Sequence, residues 1–409
     1  MPQWKKKTNT ALKKQLSISM KRMNFMSKPK KVESMTSRQR VMATVNHQEP
    51  DRVPIDLGMH FSSGISAFAY HDLREYLGLS TDNIIVPDMV QFLARVDDDI
   101  LERFHVDCKL LFPRFRTEKR WNPRGKYEFI IPGTANPVPN ESGDWIVEQN
   151  GGRMRMPKNG YFFDGDWLHF EDRPPDEHLD ITAKEAERIY KDSDYYTIYL
   201  QFGAFFKEAD MDALCRMISD PESIKEENQV SLNQSIEHVS RVIDKMGEYV
   251  QGILVVSDLG TQKGPLVNPA LYEELCLPYL SKFCDFVHKN SDFKVYMHCC
   301  GSIKPFIPLL IEAGIDVLNP VQISAENMNP AELKKEFGDK IVFWGGGCNT
   351  QHVLNHGTPD DVRANVRELM SIFKPGGGYV FSQVHNIMGD IPPENIVAML
   401  DTAYEESFY

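Results

Sequence analysis

Nowhere in the 409 residues does an apolar run approach the roughly 18 consecutive residues a membrane-spanning helix requires, so no bilayer crossing is expected. Cysteine is sparse and unpatterned: seven residues, at 108, 215, 276, 284, 299, 300 and 348, make an odd set without disulfide-framework spacing. That excludes a stapled secreted scaffold and makes a reducing cytoplasm the expected compartment. The first 34 residues lack both Asp and a continuous apolar stretch, which argues against a signal peptide. Their single Arg argues against a transit peptide. Positive charge is also scarce outside this opening stretch. Ten Lys and Arg stand there against the lone acid Glu33, and with a chain total of −12 the other 375 residues carry −21. So acidic a body has no electrostatic attraction for nucleic acid or an anionic membrane surface.

What remains is an ordinary globular composition, 42% hydrophobic and 25% charged, which excludes wholesale disorder. Residues 1–34 read as a disordered basic tail, with Met35 as an alternative first residue. Residues 35–409 read as the folded body. Their C-terminal half is the more regular. Apolar strands at 252–257, 294–299, 316–319, 341–344 and 379–383 alternate with amphipathic helices over about 270–289, 304–313, from 330, 359–373 and from 393. Such alternation predicts βαβ units and a parallel sheet. A helix at 36–46 and apolar runs at 53–57, 106–111 and 197–202 bring the strand count to eight, the number that closes a (β/α)8 TIM barrel. Residues from about 113 to 195 break this rhythm. Short alternating runs, with Asn150-Gly151-Gly152 as a hairpin signal, predict a β-rich insertion that could serve as a lid or substrate wall.

Barrel chemistry gathers at the C-terminal ends of the strands. Those ends read Asp258, with Gln262 beyond it; His298-Cys299-Cys300-Gly301; Asn319-Pro320-Val321-Gln322; Gly345-Gly346-Gly347-Cys348; and Gln383-Val384-His385-Asn386. In an extended chain His298 and Cys300 face one side and Cys299 the other. Cys348 follows a glycine run that permits close backbone approach. One imidazole and two thiolates suit Zn2+ and leave a fourth position for substrate. Buried cysteines around a core histidine are the plainer alternative. Asp258 suits either catalysis or a helix N-cap. His385 is a candidate catalytic residue, and Asn386, Gln262 and Gln322 are candidate substrate or cofactor contacts. The Gly376-Gly377-Gly378 run precedes a strand and reads as a turn at the opposite end of the barrel.

Taken together, Pro50-Asp51-Arg52-Val53-Pro54, His298-x-Cys300-Gly301, the glycine turn before Cys348 and Val384-His385-Asn386 resemble the uroporphyrinogen decarboxylase superfamily. The resemblance runs from about residue 36 to the C-terminus and implies a (β/α)8 barrel. One branch decarboxylates uroporphyrinogen without a metal. The other comprises zinc methyltransferases that move methyl groups between a corrinoid protein and a thiol or another acceptor. Decarboxylases of this kind carry an Arg-Gln-Ala-Gly-Arg loop after the first strand and a Phe-Ser-Asp-like turn after the second. Here the corresponding places read Met59-His60-Phe61-Ser62-Ser63 and Phe112-Pro113-Arg114. A substrate with eight carboxylates needs cationic partners, so these differences favour the methyltransferase branch.

The resemblance thus implies zinc on His298, Cys300 and Cys348, with His60 among the substrate or cofactor contacts. The spacing from Cys300 to Cys348 is shorter than in coenzyme M enzymes, so the acceptor stays open among thiols, tetrahydrofolate and other small molecules. No Asp-x-His-x-x-Gly cobalamin signature is present, so a methyl-corrinoid would arrive on a partner protein. A tetrapyrrole carboxy-lyase and a non-catalytic corrinoid- or tetrapyrrole-binding barrel are the alternatives.

Overall fold

Six parallel strands run side by side in the order Tyr199–Leu200, Gly252–Val256, Lys294–His298, Val317–Asn319, Val342–Trp344 and Tyr379–Val380. This is the arrangement in a computed structural model, which describes residues 32–200, 205–206 and 210–409. Residues 35–409 form one compact unit. Two further extended segments complete the ring. Ile55 forms a parallel bridge with Phe381, and Asp107 N donates to Ile55 O at 2.8 Å. Cys108 in turn forms a parallel bridge with Tyr196, just ahead of the first of the six strands. Eight segments are therefore joined edge to edge, as the sequence pattern predicts, although those at 53–57 and 106–110 make single bridges rather than regular ladders.

Strand alternation divides the core into two layers. Leu254, Tyr296, Val317, Val342, Trp344 and Val380 share one buried cluster along the barrel axis. Their sequence neighbours Val255, Met297, Leu318, Phe343 and Tyr379 belong to the cluster beneath the helices. Tyr196 and Tyr296 join hydroxyl groups at 2.6 Å on the inner side. Val41 and Val45 of the helix Ser37–Val45 belong to the inner cluster too, at its N-terminal end.

At that end the Pro50-Asp51-Arg52-Val53-Pro54 motif has a structural role. Asp51 accepts from Arg40 Nε and Nη2 at 2.7 and 2.9 Å, and from Met35 N at 2.9 Å. Asp107, fully buried, accepts from Arg40 Nη1, from Arg52 Nη1 and Nη2, and from Ile55 N, at 2.6 to 3.0 Å.

The predicted tail at 1–34 lies almost wholly outside the described residues, as do residues 201 and 202 of the third predicted strand. The insertion is narrower than expected. Its antiparallel strands fall between Glu118–Trp121 and Asp164–Gly165, whereas Pro175–Asp192 is an amphipathic helix of the barrel. Asn150 and Gly151, at φ of 51° and 84°, make the anticipated tight turn between Trp145–Gln149 and Gly152–Met156. The helix expected over 270–289 is two helices, Pro269–Leu275 and Leu277–Asn290, because Pro278 cannot continue the hydrogen-bond ladder. The 26-residue helix Pro221–Met246 had no counterpart in the sequence reading. Its buried positions are widely spaced among charged residues, which hides the apolar stripe. Among the described residues no helix is long and apolar enough to cross a membrane.

Candidate metal centre

His298 inherits its direction from the strand Lys294–His298: Tyr296 points to the barrel axis, so His298 does as well. Its ring is fixed from the adjacent strand. Asn319 Nδ2 donates to Trp344 O at 3.1 Å, which leaves Asn319 Oδ1 facing His298 Nδ1 at 3.2 Å. An amide oxygen can only accept, so the imidazole proton sits on Nδ1 and Nε2 keeps its lone pair. Burial holds the His298 pKa below its ordinary value, with Asp258 and Asn319 opposing, so the ring is neutral near pH 7.

That bare Nε2 lies 3.7 Å from Asp258 Oδ1. The ligand atoms of Asp258, His298 and Cys300 all fall within 4.8 Å of one another. Asp258 Oδ1 also accepts from Cys300 N at 3.0 Å, which ties the two strand ends together. Asp258 therefore does not cap a helix: the next one is capped by Asn268, whose Oδ1 accepts from Ala270 N. A neutral imidazole nitrogen, a carboxylate and a sulfur thus face one another with no hydrogen placed between nitrogen and carboxylate. Such a set repels itself unless a cation or a proton sits among its members. Nitrogen, oxygen and sulfur donors at this separation fit a zinc ion.

Cys348 does not join this group. Gly345 and Gly346 take φ of 109° and 74°, so the chain leaves the extended alternation that points Trp344 inward. Gly347 then passes so close to Phe381 that a Cβ there would lie 2.4 Å from its ring. Cys348 ends fully buried in the layer beneath the helices, where burial pushes its thiol up to about 12. The glycine run turns the cysteine away rather than bringing it close.

Two other histidines border the group. His385 has its ring centroid 5.7 Å from that of His298, and burial together with that neighbour lowers its pKa to about 4. His60 is almost fully buried and is held well below the ordinary value by burial, then by His298 and His385. Ser62 N donates to His60 Nδ1 at 3.2 Å, so the ring proton lies on Nε2, a buried atom with no hydrogen-bond partner. A stranded donor beside the ligand group is a natural contact for a substrate heteroatom.

The remaining candidates have structural roles or face outward. Asn386 accepts from Gly64 N and donates to Phe61 O and Gln91 Oε1, at 2.8 to 2.9 Å, so its amide holds loops together. Gln322 Oε1 accepts from Gly301 N at 2.7 Å and fixes the turn after Cys300. Gln262 is exposed. Both glutamines follow strand ends, which is all the sequence could report of them.

Asp56 escaped the sequence reading. It is fully buried on the 53–57 segment and accepts from Trp344 Nε1 at 2.8 Å and Met59 N at 3.0 Å, anchoring the turn that carries His60. Its only sequence signal is an acid within an apolar strand. Burial raises its pKa from 3.8 to about 6, against hydrogen bonds from Ser63, Trp344 and Met59. Between these values the native state binds more protons than the unfolded chain, so Asp56's contribution to stability is complete below pH 4 and declines as pH rises through 6. The shift corresponds to about 3 kcal/mol. Urea denaturation at pH 4.5 and 7 should show this component in the wild type and not in Asp56→Asn. Equal pH dependence in the two proteins would contradict the assignment.

The family model for uroporphyrinogen decarboxylase (URO-D) matches residues 208–406. Curated relatives include a uroporphyrinogen decarboxylase from Pseudoalteromonas translucida, 26% identical over 149 residues, and one from Psychromonas ingrahamii, 34% identical over 149 residues. Each alignment spans 35% of this chain and only 39% of the relative. A solved methyltransferase from Methanosarcina mazei superposes over 91% of this chain and 99% of its own, with a TM-score of 0.56 at 16% identity. That agreement reports the shared fold. Asp258, His298, Cys300 and His385 all lie within the matched stretch, so the part of the chain that holds the metal group is the part similar to the uroporphyrinogen decarboxylase family.

Proposed function

We propose that this protein is a zinc-dependent methyltransferase that moves a methyl group between a corrinoid carried by a partner protein and a small molecule. The observation that carries the reading is the cluster of electron-pair donors at His298 Nε2, Asp258 Oδ1 and Cys300 Sγ, which fits a metal ion and has no use in a metal-free decarboxylase. Bound there, zinc would supply positive charge that keeps an incoming thiol ionised or polarises a departing ether or amine. The chain's own groups do the rest. His60 Nε2–H donates to the heteroatom that gains charge as its bond to the methyl carbon breaks. Neutral His385 accepts a proton from an acceptor that must lose one. Asn319 and Asp258 hold His298 and the 300–301 turn in register.

The decarboxylase reading draws support from the names of the curated relatives. It lacks the arginine loop that eight substrate carboxylates require, since that place here holds His60 and Phe61. The test is methyl transfer by the full chain, reconstituted with zinc, between a methylated corrinoid protein and thiol or tetrahydrofolate acceptors. His60→Ala should reduce turnover by roughly 10²- to 10⁴-fold with metal content unchanged. Decarboxylation of uroporphyrinogen by metal-free protein would overturn the proposal.

A further inference from the structure

A cavity of about 490 Å³ opens at the C-terminal ends of the first three barrel segments, between them and the insertion. It reaches the loop that carries His60. Phe61, next in sequence to His60, forms part of its wall, and Phe61 O accepts from Gln91 Nε2 and Asn386 Nδ2 at 3.1 and 2.9 Å. Asn386 is in turn the neighbour of His385.

The wall is aromatic. Phe61, Phe112, Phe115, Trp167, Phe170 and Tyr199 contribute rings, and Phe112 and Phe115 meet edge to face with centroids 5.1 Å apart. Among the described residues that line it there is no Lys or Arg. Its two carboxylates are already occupied. Asp88 accepts from Val90 N, Gln91 N and Gln91 Nε2 at 2.8 to 3.0 Å. Glu171 pairs with Arg173 at 2.8 Å and lies 3.1 Å from His178 Nδ1. Among the described lining residues the cavity thus offers no cation to an anionic ligand, Asp88 is hydrogen-bonded by amide donors and Glu171 is paired with Arg173, while the wall offers ring faces and edges to an arene.

Its size agrees. About 150 Å³ of apolar cavity accommodates benzene, and binding sites for small organic molecules span about 300–1,000 Å³. A single substituted ring fits with room to spare, whereas a tetrapyrrole with eight carboxylates would meet no Lys or Arg among the described lining residues.

We infer that this cavity binds an uncharged, single-ring aromatic molecule. In calling that molecule the small-molecule partner of methyl transfer, the inference rests on the proposed function; the binding itself does not. The experiment is calorimetric titration of the full chain with methoxybenzene, benzoate and tetramethylammonium. Methoxybenzene should bind saturably at one site per chain, at least tenfold more tightly than either ion. Phe112→Leu and Trp167→Leu should each weaken it by roughly threefold to tenfold, the loss expected for one aromatic contact. Trp167 is 64% exposed, so its replacement tests the wall without endangering the fold. Tighter binding of either ion, no saturable binding of methoxybenzene, or full affinity in both wall variants would overturn the inference. Zinc content measured on the same samples separates the two claims. Zinc without arene binding rejects this inference alone, and arene binding without zinc rejects the methyltransferase reading alone.

Discussion

Zinc-reconstituted protein should hold one metal ion per chain through gel filtration, and His298→Ala and Cys300→Ala should hold none. Both side chains converge on the same few ångströms, where the Nε2 lone pair, a thiolate and the Asp258 carboxylate would be the protein ligands. Removing either leaves two ligands, too few to retain zinc against buffer and chelator. Asn319→Ala should keep the ion but weaken it by about 10- to 100-fold, because Asn319 fixes the ring through Nδ1 rather than contributing a ligand. Cys348→Ala should bind as the wild type does, since that thiol lies in the apolar layer beneath the helices. Elemental analysis with a chelator competition reads all four variants. A metal-free wild type would remove the basis of the proposed mechanism. Loss of zinc from Cys348→Ala equal to that from Cys300→Ala would restore the His298, Cys300 and Cys348 set and require the 345–348 turn to refold around the ion.

The largest loss of stability should come from the opposite end of the barrel. Asp107→Ala leaves the guanidinium groups of Arg40 and Arg52, each about 1% exposed, without the carboxylate they share. Breaking a buried ion pair by removing one partner costs about 3–5 kcal/mol, because the surviving charge cannot be hydrated. Asp51 still pairs with Arg40, so Arg52 bears most of this cost. Asp107 also accepts from Ile55 N, on the segment that meets Phe381, so its removal loosens ring closure itself. Urea denaturation monitored by circular dichroism measures the effect. A loss below about 1 kcal/mol, the range of exposed ion pairs, would show that the network is hydrated rather than buried.

The legibility of the fold followed the chemistry of each segment. Strands in the second half are short, mainly apolar and separated by amphipathic helices, and all five lie within a few residues of the bounds the pattern predicts. In the first half the barrel segments at 53–57 and 106–110 make single bridges, so their residues answer to side-chain partners such as Asp107 as much as to a ladder. Asn150-Gly151 announced its hairpin because a two-residue turn with positive φ at both positions has few other sequences. The helix Pro175–Asp192 was absorbed into the insertion because aromatic and Pro-rich flanks obscured its stripe.

By itself the sequence determined that His298 and Cys300 face one side of a strand end, because side-chain alternation in an extended chain is fixed by stereochemistry. It also determined that this strand end belongs to a barrel, through a pattern repeated over the C-terminal half. Only the tertiary structure decided which third residue meets the pair. The turn through Gly345 and Gly346 could have carried Cys348 to either layer, since glycine leaves both directions open. Asp258 arrives instead from the preceding strand, across a contact 40 residues apart in sequence and 3.7 Å apart in space. The tautomer of His298 was likewise set from outside its own segment, by an asparagine amide oriented by the carbonyl of Trp344. Such choices depend on which strand lies beside which, and spacing along the chain carries no record of that.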